Sequence, residues 1–494
     1  MKFTTLLAGL LAAVARVQAA AVIAHFMLIN TKNYTVSEFE DDFKLAKDAH
    51  IDAFALNMGL TDPHTPEALK DAFQAAANVD FRLFFSFDYM GGYHGGKPWP
   101  KETILDMANT YFSRAEYFKH DGKPVASTFE GVENAEDWVE IKEKTKAFFI
   151  PDWSSVAPEE ALKLAGGVAD GLFSWDAWPI GATNMDTKGD DAYIAALGDK
   201  PYMMPVSPWF YTNLPGYKKN WVWRGDDLWY DRWAQVLDKK PEFVQIISWN
   251  DYGESHHIGP VRDNALEAFD VGLAPFNYAL DHPHDAWRML LPFLVDTYKA
   301  GGKPAPIAEE NLVTWYRASP ALACADNGTV GNAESQSQTL LAVDQVVQDR
   351  IFFSALLTSD AEVTVSVNGK ETKAKWTAAP EGGKGVYHGS VPYQGGGDVV
   401  VSMVKYGVEI ARIKGKKMLT DCLETKNLTN FNAWTGGVVA LHVDHPNPTP
   451  TQTGDGPSET GGGDDSAASG LVSNSRGLVY VVVALVSAAV AGLV

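Results

Sequence analysis

FVQIISWNDYGESHHI, residues Phe243 to Ile258, begins as a strand and ends as a cluster of polar and aromatic groups. Val244 to Ser248 has the β-branched density of a strand buried on both faces. Trp249, Asn250, Asp251, Tyr252, Gly253, Glu254, His256 and His257 follow, a composition unsuited to extending that strand. Barrel enzymes build their open rim from such units, buried parallel strands that deliver acids and aromatics at their C-terminal ends.

The upstream chain repeats the unit. Apolar runs at Val22–Leu28, Ala53–Asn57, Phe81–Phe87, Pro124–Phe129, Ala147–Ile150, Gly171–Ser174 and Tyr202–Val206 are each followed by a helical pattern, from Val36–His50 at the start to Asp227–Leu237 before the last strand. Eight alternations between residues 20 and 304 predict a (β/α)₈ TIM-type barrel. An open doubly wound sheet is the alternative, but the glycine-rich nucleotide loops that mark its first strand are missing. Strands three, four, five, six and eight end in Asp88, Glu130, Asp152, Asp176 and Asp251, which a barrel gathers on one rim.

Beyond the barrel the texture changes. Residues 305–443 carry short alternating runs separated by glycines, which predicts a smaller antiparallel β-sandwich-like domain, either a carbohydrate-binding module or a stabilising layer. Residues 444–470 are rich in Pro, Thr, Gly, Ser and Asp and read as a stalk. Residues 1–19 have the basic start, apolar run and small-residue cleavage site of a signal peptide. Residues 471–494 contain an uncharged apolar tail with no basic flank, expected to be exchanged for a GPI anchor at Ser466; a tail-anchored transmembrane helix is the alternative. Cys324 and Cys422, the two cysteines of the chain, suit one disulfide in an oxidising compartment. Sequons at Asn33, Asn327 and Asn427 suit the same export route.

A formal net charge of -21 argues against nucleic acid or an anionic membrane surface as partner. The 15 tryptophans, 18 tyrosines and 24 phenylalanines offer flat apolar rings, for a large core or for stacking on sugars. Glycosidic cleavage needs two carboxyl groups with different jobs. Asp251 and Glu254, three apart with Gly253 easing the turn, are the first candidates, and Asp88, before the loop GGYHGG, is the third. The structural alternative is that Asp251 caps a helix and Glu254 pairs with a local cation. His25, Trp249, Asn250, Tyr252 and His256 are candidates to line the same site, with Glu130, Asp152, Trp175 and Asp176 from neighbouring strand ends. The segment SPWFYTNLPGYKKNWVWRGDDLWYDRW adds Trp209, Tyr211, Trp221 and Trp223 as stacking candidates, while its helical Trp229 and Trp233 suit a core. No EF-hand-like spacing suggests calcium, and the chemistry calls for no metal or cofactor.

The runs HFMLINTKNYT, LFFSFD, STFEG, FFIPDWSS with FSWDAWP, the long aromatic segment and SWNDYGESHHIGP resemble glycoside hydrolase family 71, the fungal α-1,3-glucanases or mutanases, over residues 22 to 445. The resemblance implies a (β/α)₈ barrel with a β-rich C-terminal domain, and endo-hydrolysis of α-1,3-glucan with inversion. It places the family's acids at Asp251, Glu254 and Asp88. The expectation is thus a secreted, GPI-anchored monomer acting on wall polysaccharide, with Glu254 as proton donor and Asp251 as base, the reverse assignment and Asp88 as the partner of one of them being left open by the sequence. A glycan-binding protein that does not cut, or a hydrolase of another wall polymer, are the alternatives.

Overall fold

The computed structural model describes residues 20–92 and 95–443, so the expected signal peptide, stalk, Ser466 and anchor tail lie outside the described residues. The eight expected strands are present as Ala21–Met27, Ala53–Gly59, Arg82–Asp88, Lys123–Phe129, Phe148–Phe149, Leu172–Phe173, Tyr202–Val206 and Phe243–Ile246. The first pairs in parallel with both the second and the eighth, and parallel ladders continue through the third, fourth and fifth strands on one side and the seventh and sixth on the other. The fifth and sixth share no ladder. Only two residues long, they are linked through Asp152, which makes single parallel bridges to Phe129 and Phe173. Pro151 explains the shortness of the fifth strand: it has no N–H to give, although its carbonyl accepts from Phe173 N at 2.9 Å. The result is a strongly curved, parallel-rich α/β sheet.

Helices cover the outside for local reasons. Val36–Asp48 starts with a capping box between Thr35 and Glu38, and its Phe39 and Phe43 pack on Phe26 and Phe54 of the sheet at 6.1 and 5.5 Å between ring centroids. Burying each such ring contributes about 1.5–3 kcal/mol. The helix Leu228–Lys239 places Arg232 wholly inside, where its guanidinium holds Asp190 at 2.8 and 3.1 Å and the Pro205 carbonyl of the seventh strand.

The C-terminal region consists of two antiparallel sheets. Five strands run in the order Trp376–Ala378, Gly385–Pro392, Arg350–Leu357, Asn311–Arg317 and Ala433–Val439; four run Lys370–Lys373, Glu362–Val367, Val399–Lys405 and Val408–Lys414. Leu312, Phe353, Val401 and Met403 fill the space between them. The other face of the larger sheet joins the first core: Trp315 lies 6.2 Å from Trp287, and its indole N–H donates to Asp226 O at 2.7 Å. The disulfide Cys324–Cys422 is formed. The aromatic segment after the seventh strand contains a hairpin of Tyr211–Leu214 and Lys219–Val222, whose second strand pairs in parallel with Val330–Gly331 of the C-terminal region.

Candidate active site

The eighth strand stops at Ile246, and the chain then folds back on itself. Ser248 N donates to His256 O, Ile258 N to Ser248 O and Gly259 N to Trp249 O, at 2.7–2.9 Å, closing residues 248–259 into a compact loop. Asn250 fastens the loop to the first strand: its Oδ1 accepts from Met27 N at 2.7 Å and its Nδ2 donates to Met27 O at 3.1 Å. The left-handed residue of the turn is Ser255, φ 59, and not Gly253 as the sequence suggested. Gly253 serves close packing instead, since a Cβ there would stand 3.2 Å from the Leu214 side chain of the hairpin. Its carbonyl accepts from Tyr278 Oη at 2.6 Å.

Asp251 and Glu254 turn to the same side. Glu254 N donates to Asp251 Oδ1 at 3.1 Å, and one ligating atom from each of Asp251, Glu254 and His256 lies within 4.8 Å of the others. Asp251 N donates to Ser248 Oγ at 2.9 Å, Ser248 Oγ meets His256 Nδ1 at 2.9 Å, and His256 Nε2 meets Glu254 Oε2 at 3.0 Å. Glu254 Oε1 is paired with Lys219 Nζ of the hairpin at 2.6 Å. The trio has the spacing to surround a cation, but the ammonium of Lys219 already supplies positive charge there, and we assign no metal.

Burial pushes the Asp251 carboxyl up, with the negative charge of Glu254 adding to it, against an opposing pull from His256. Burial pushes Glu254 the same way, but Lys219 and the hydrogen bond from His256 prevail and hold it well below the usual carboxylate range. Of the two, Asp251 is thus the carboxyl pushed toward its protonated form. Asp88, the last residue of the third strand, is also pushed up by burial, although Met90 N and Gly91 N donate to its Oδ1 at 2.8 and 2.5 Å.

The remaining candidates divide by exposure. His25 is buried under the site, with Nδ1 3.1 Å from Gln245 Nε2; burial and then His256 pull its pKa down to about 3, so it is neutral. Trp175 is half-buried and edge-on to His25 and Phe129, both at 4.9 Å. Glu130 accepts from Ser155 N and Oγ at 2.9 and 2.5 Å, and burial raises it. Asp152 is fully buried and raised far more by burial, with Glu130 adding to the effect. Asp176 is exposed, its carboxylate against Gly189 on the neighbouring helix Lys188–Leu197.

Several expected stacking residues are structural instead. Trp209 is 0% exposed and bonded to Phe431 O, Tyr211 is packed against Tyr278 and Phe431, and Trp249 is 0% exposed behind the loop on Phe54. Tyr252 is buried with its hydroxyl on Pro260 O, and Asn250 is spent on Met27. Trp221 and Trp223 are buried around Phe210, and Trp223 stacks on Trp178, whose ring lies 5.5 Å from His256. A sugar cannot reach a ring enclosed on both faces, so none of these six is a stacking platform in this conformation. Lys219, Ser248 and Trp178 were missed: Lys219 sat inside a segment read for its aromatics, and nothing local marks a lysine as facing a glutamate 35 residues away.

This is the rim of a carboxylate-dependent hydrolase, and the chain belongs to glycosyl hydrolase family 71, whose family model matches residues 18–447. It is therefore a glycoside hydrolase. It is similar to a glucan endo-1,3-α-glucosidase of Schizosaccharomyces pombe, 33% identical over 432 residues, covering 84% of this chain and 94% of the relative. A mutanase of Penicillium rubens is 35% identical over 352 residues, covering 70% and 74%. Among solved structures, an endo-α-mannosidase from Bacteroides thetaiotaomicron aligns at 14% identity with a TM-score of 0.42, covering 57% of this chain and 98% of that one.

Proposed function

We propose that the protein is an endo-hydrolase of α-1,3-glucan that inverts the anomeric carbon it attacks. The observation that carries this reading is the strand-end cluster Asp251–Glu254–His256, faced by Lys219, with Asp88 on the same sheet. Relatives named for α-1,3-glucan hydrolysis support the substrate. Ligating atoms of Asp251 and Glu254 lie within 4.8 Å of each other, closer than the roughly 6.5–9.5 Å of an inverting pair. The base is therefore Asp88. The third and eighth strands are three inter-strand steps apart, roughly 14 Å along the sheet, and side chains reaching in from both sides shorten that gap.

In this mechanism Asp251 gives its proton to the glycosidic oxygen as the C1–O bond breaks. Asp88 takes a proton from a water whose oxygen bonds C1 from the opposite face, so the new reducing end forms as the β anomer. Glu254 stays charged and keeps the proton on Asp251. The same proposal takes the curved sheet as a complete (β/α)₈ barrel closed through Asp152, and the protein as an exported monomer attached at the cell surface; the disulfide and three exposed sequon asparagines favour export. The test is real-time proton NMR of α-1,3-glucan oligosaccharides with the enzyme. β-Anomeric ends should appear first and mutarotate later; α ends first would replace inversion by retention, and no cleavage would refute the substrate.

A further inference from the structure

Every acid of the cluster comes from a strand end or the loop after one, but its cation does not. Lys219 lies just past the tip of the hairpin Tyr211–Leu214 and Lys219–Val222, and reaches Glu254 Oε1 at 2.6 Å. The hairpin is fixed against the catalytic loop on one flank. Tyr211 N donates to Glu254 O at 3.1 Å, and Tyr278 Oη both accepts from Asn213 N and donates to Gly253 O. Its other flank belongs to the C-terminal region. Trp221 and Val222 pair with Val330 and Gly331, Thr329 Oγ1 donates to Asn220 Oδ1 at 2.6 Å, and Asn220 Nδ2 donates to Asn327 O at 2.9 Å.

We propose that Lys219 is a positioning residue for the reaction, that its ammonium decides which of the two adjoining carboxyls carries the reacting proton, and that residues 327–331 hold it in place. The inference rests on the hydrolase reading above and deepens it. Two carboxyls this close do not both ionise readily, and the one beside a cation ionises first. Lys219 touches Glu254 and not Asp251, so the pair is asymmetric by construction. Of the other groups that face Glu254, His256 leans the same way through its hydrogen bond, and the rest do not impose this asymmetry. His256 sits between the two acids, 3.0 Å from Glu254 and 3.8 Å from Asp251. His25, from the first strand, is neutral through burial. Asp88 adds only negative charge, acting on Lys219 after Glu254 and Asp251. The C-terminal region thereby becomes part of the catalytic apparatus, since among the described residues its Val330–Gly331 is what pairs with the outer side of the lysine-bearing strand.

The proposal is tested with full-length Lys219→Met, Lys219→Arg and Asn220→Ala proteins by two readouts. The first needs no turnover: carbon-13 NMR titration of glutamate-labelled protein, with Glu254→Gln assigning the resonance. Lys219→Met should raise the Glu254 midpoint by about one to three pH units, and Lys219→Arg should leave it nearly in place. The second is the pH profile of kcat/KM on soluble α-1,3-oligosaccharides. Its acidic limb should move up in Lys219→Met, move partway in Asn220→Ala and stay in Lys219→Arg. A purely structural lysine would lower kcat equally at all pH values and leave the titration unmoved, which overturns the proposal. An unmoved limb in Asn220→Ala overturns the part given to the C-terminal region. If Lys219→Met does not fold, Asn220→Ala decides by the same two readouts. A titration that shifts in a parent protein that cuts no glucan would leave the charge-setting role standing and remove the hydrolase reading alone.

Discussion

Replacing Asn250 by alanine should damage stability and turnover together, because this side chain joins the catalytic loop to the first strand. It is 0% exposed, and it satisfies both main-chain groups of Met27. Truncation leaves an N–H and a C=O without their partner, at about 1–3 kcal/mol each when water is excluded. Met27 is half-buried, so water relieves part of this, and we expect a total of about 2–4 kcal/mol. Asp251 is the next residue, and a displacement of about 1 Å at a reacting group can cost roughly 10²-fold in rate. Urea unfolding measures the first effect; kcat and KM on α-1,3-oligosaccharides measure the second, with kcat falling and KM nearly unchanged. Asn250→Asp should be no better, since a carboxylate cannot donate to Met27 O. A loss below about 0.5 kcal/mol, the range of ordinary surface substitutions, would refute the clamp. A rise in KM alone would restore Asn250 to the sugar-binding role its sequence position suggested.

Other outcomes follow from the same geometry. Arg232→Met should destabilise the fold by about 3–5 kcal/mol in urea unfolding, since it strands buried Asp190. Asp226 is fully buried, and burial raises its pKa to about 7 against the opposing charges of Arg317 and Arg224. Between the unfolded value of 3.8 and about 7 the folded state binds the extra proton, so stability contributed by this group falls as pH rises through that window. Asp226→Asn should gain on the parent in unfolding free energy between pH 5 and pH 8; a constant difference would contradict the buried-acid account. Cys324→Ser with Cys422→Ser opens a span of 98 residues and should lower unfolding free energy by about 2–5 kcal/mol, measured by denaturant titration.

The strands were legible because a strand buried on both faces writes an unbroken apolar run, and all eight observed strands fall within two residues of their expected bounds at each end. The largest differences are at the second, which runs on to Gly59 beyond the expected Asn57, and at the eighth, which stops at Ile246 short of the expected Ser248. The fifth and sixth were legible as runs but not as weak pairings, since the missing donor of Pro151 shows only against a neighbour. Asp251 and Glu254 were visible at the strand end, but the charge on each depends on Lys219, which reaches them through a tertiary contact. The aromatics misled for the opposite reason. Trp209, Tyr211 and Trp249 occupy rim positions in sequence, yet the C-terminal region and the folded-back loop bury them. Composition records how many rings there are and not which face another layer covers.

The most direct measurement is release of reducing ends from insoluble α-1,3-glucan by the parent, Asp251→Asn and Glu254→Gln proteins, each checked for folding. Soluble α-1,3-oligosaccharides from the parent, with Asp251→Asn lowered by about 10²–10⁴-fold through loss of its acid, are what the proposed mechanism predicts. Near-parental release by a folded Asp251→Asn protein, or none from the parent, would contradict it.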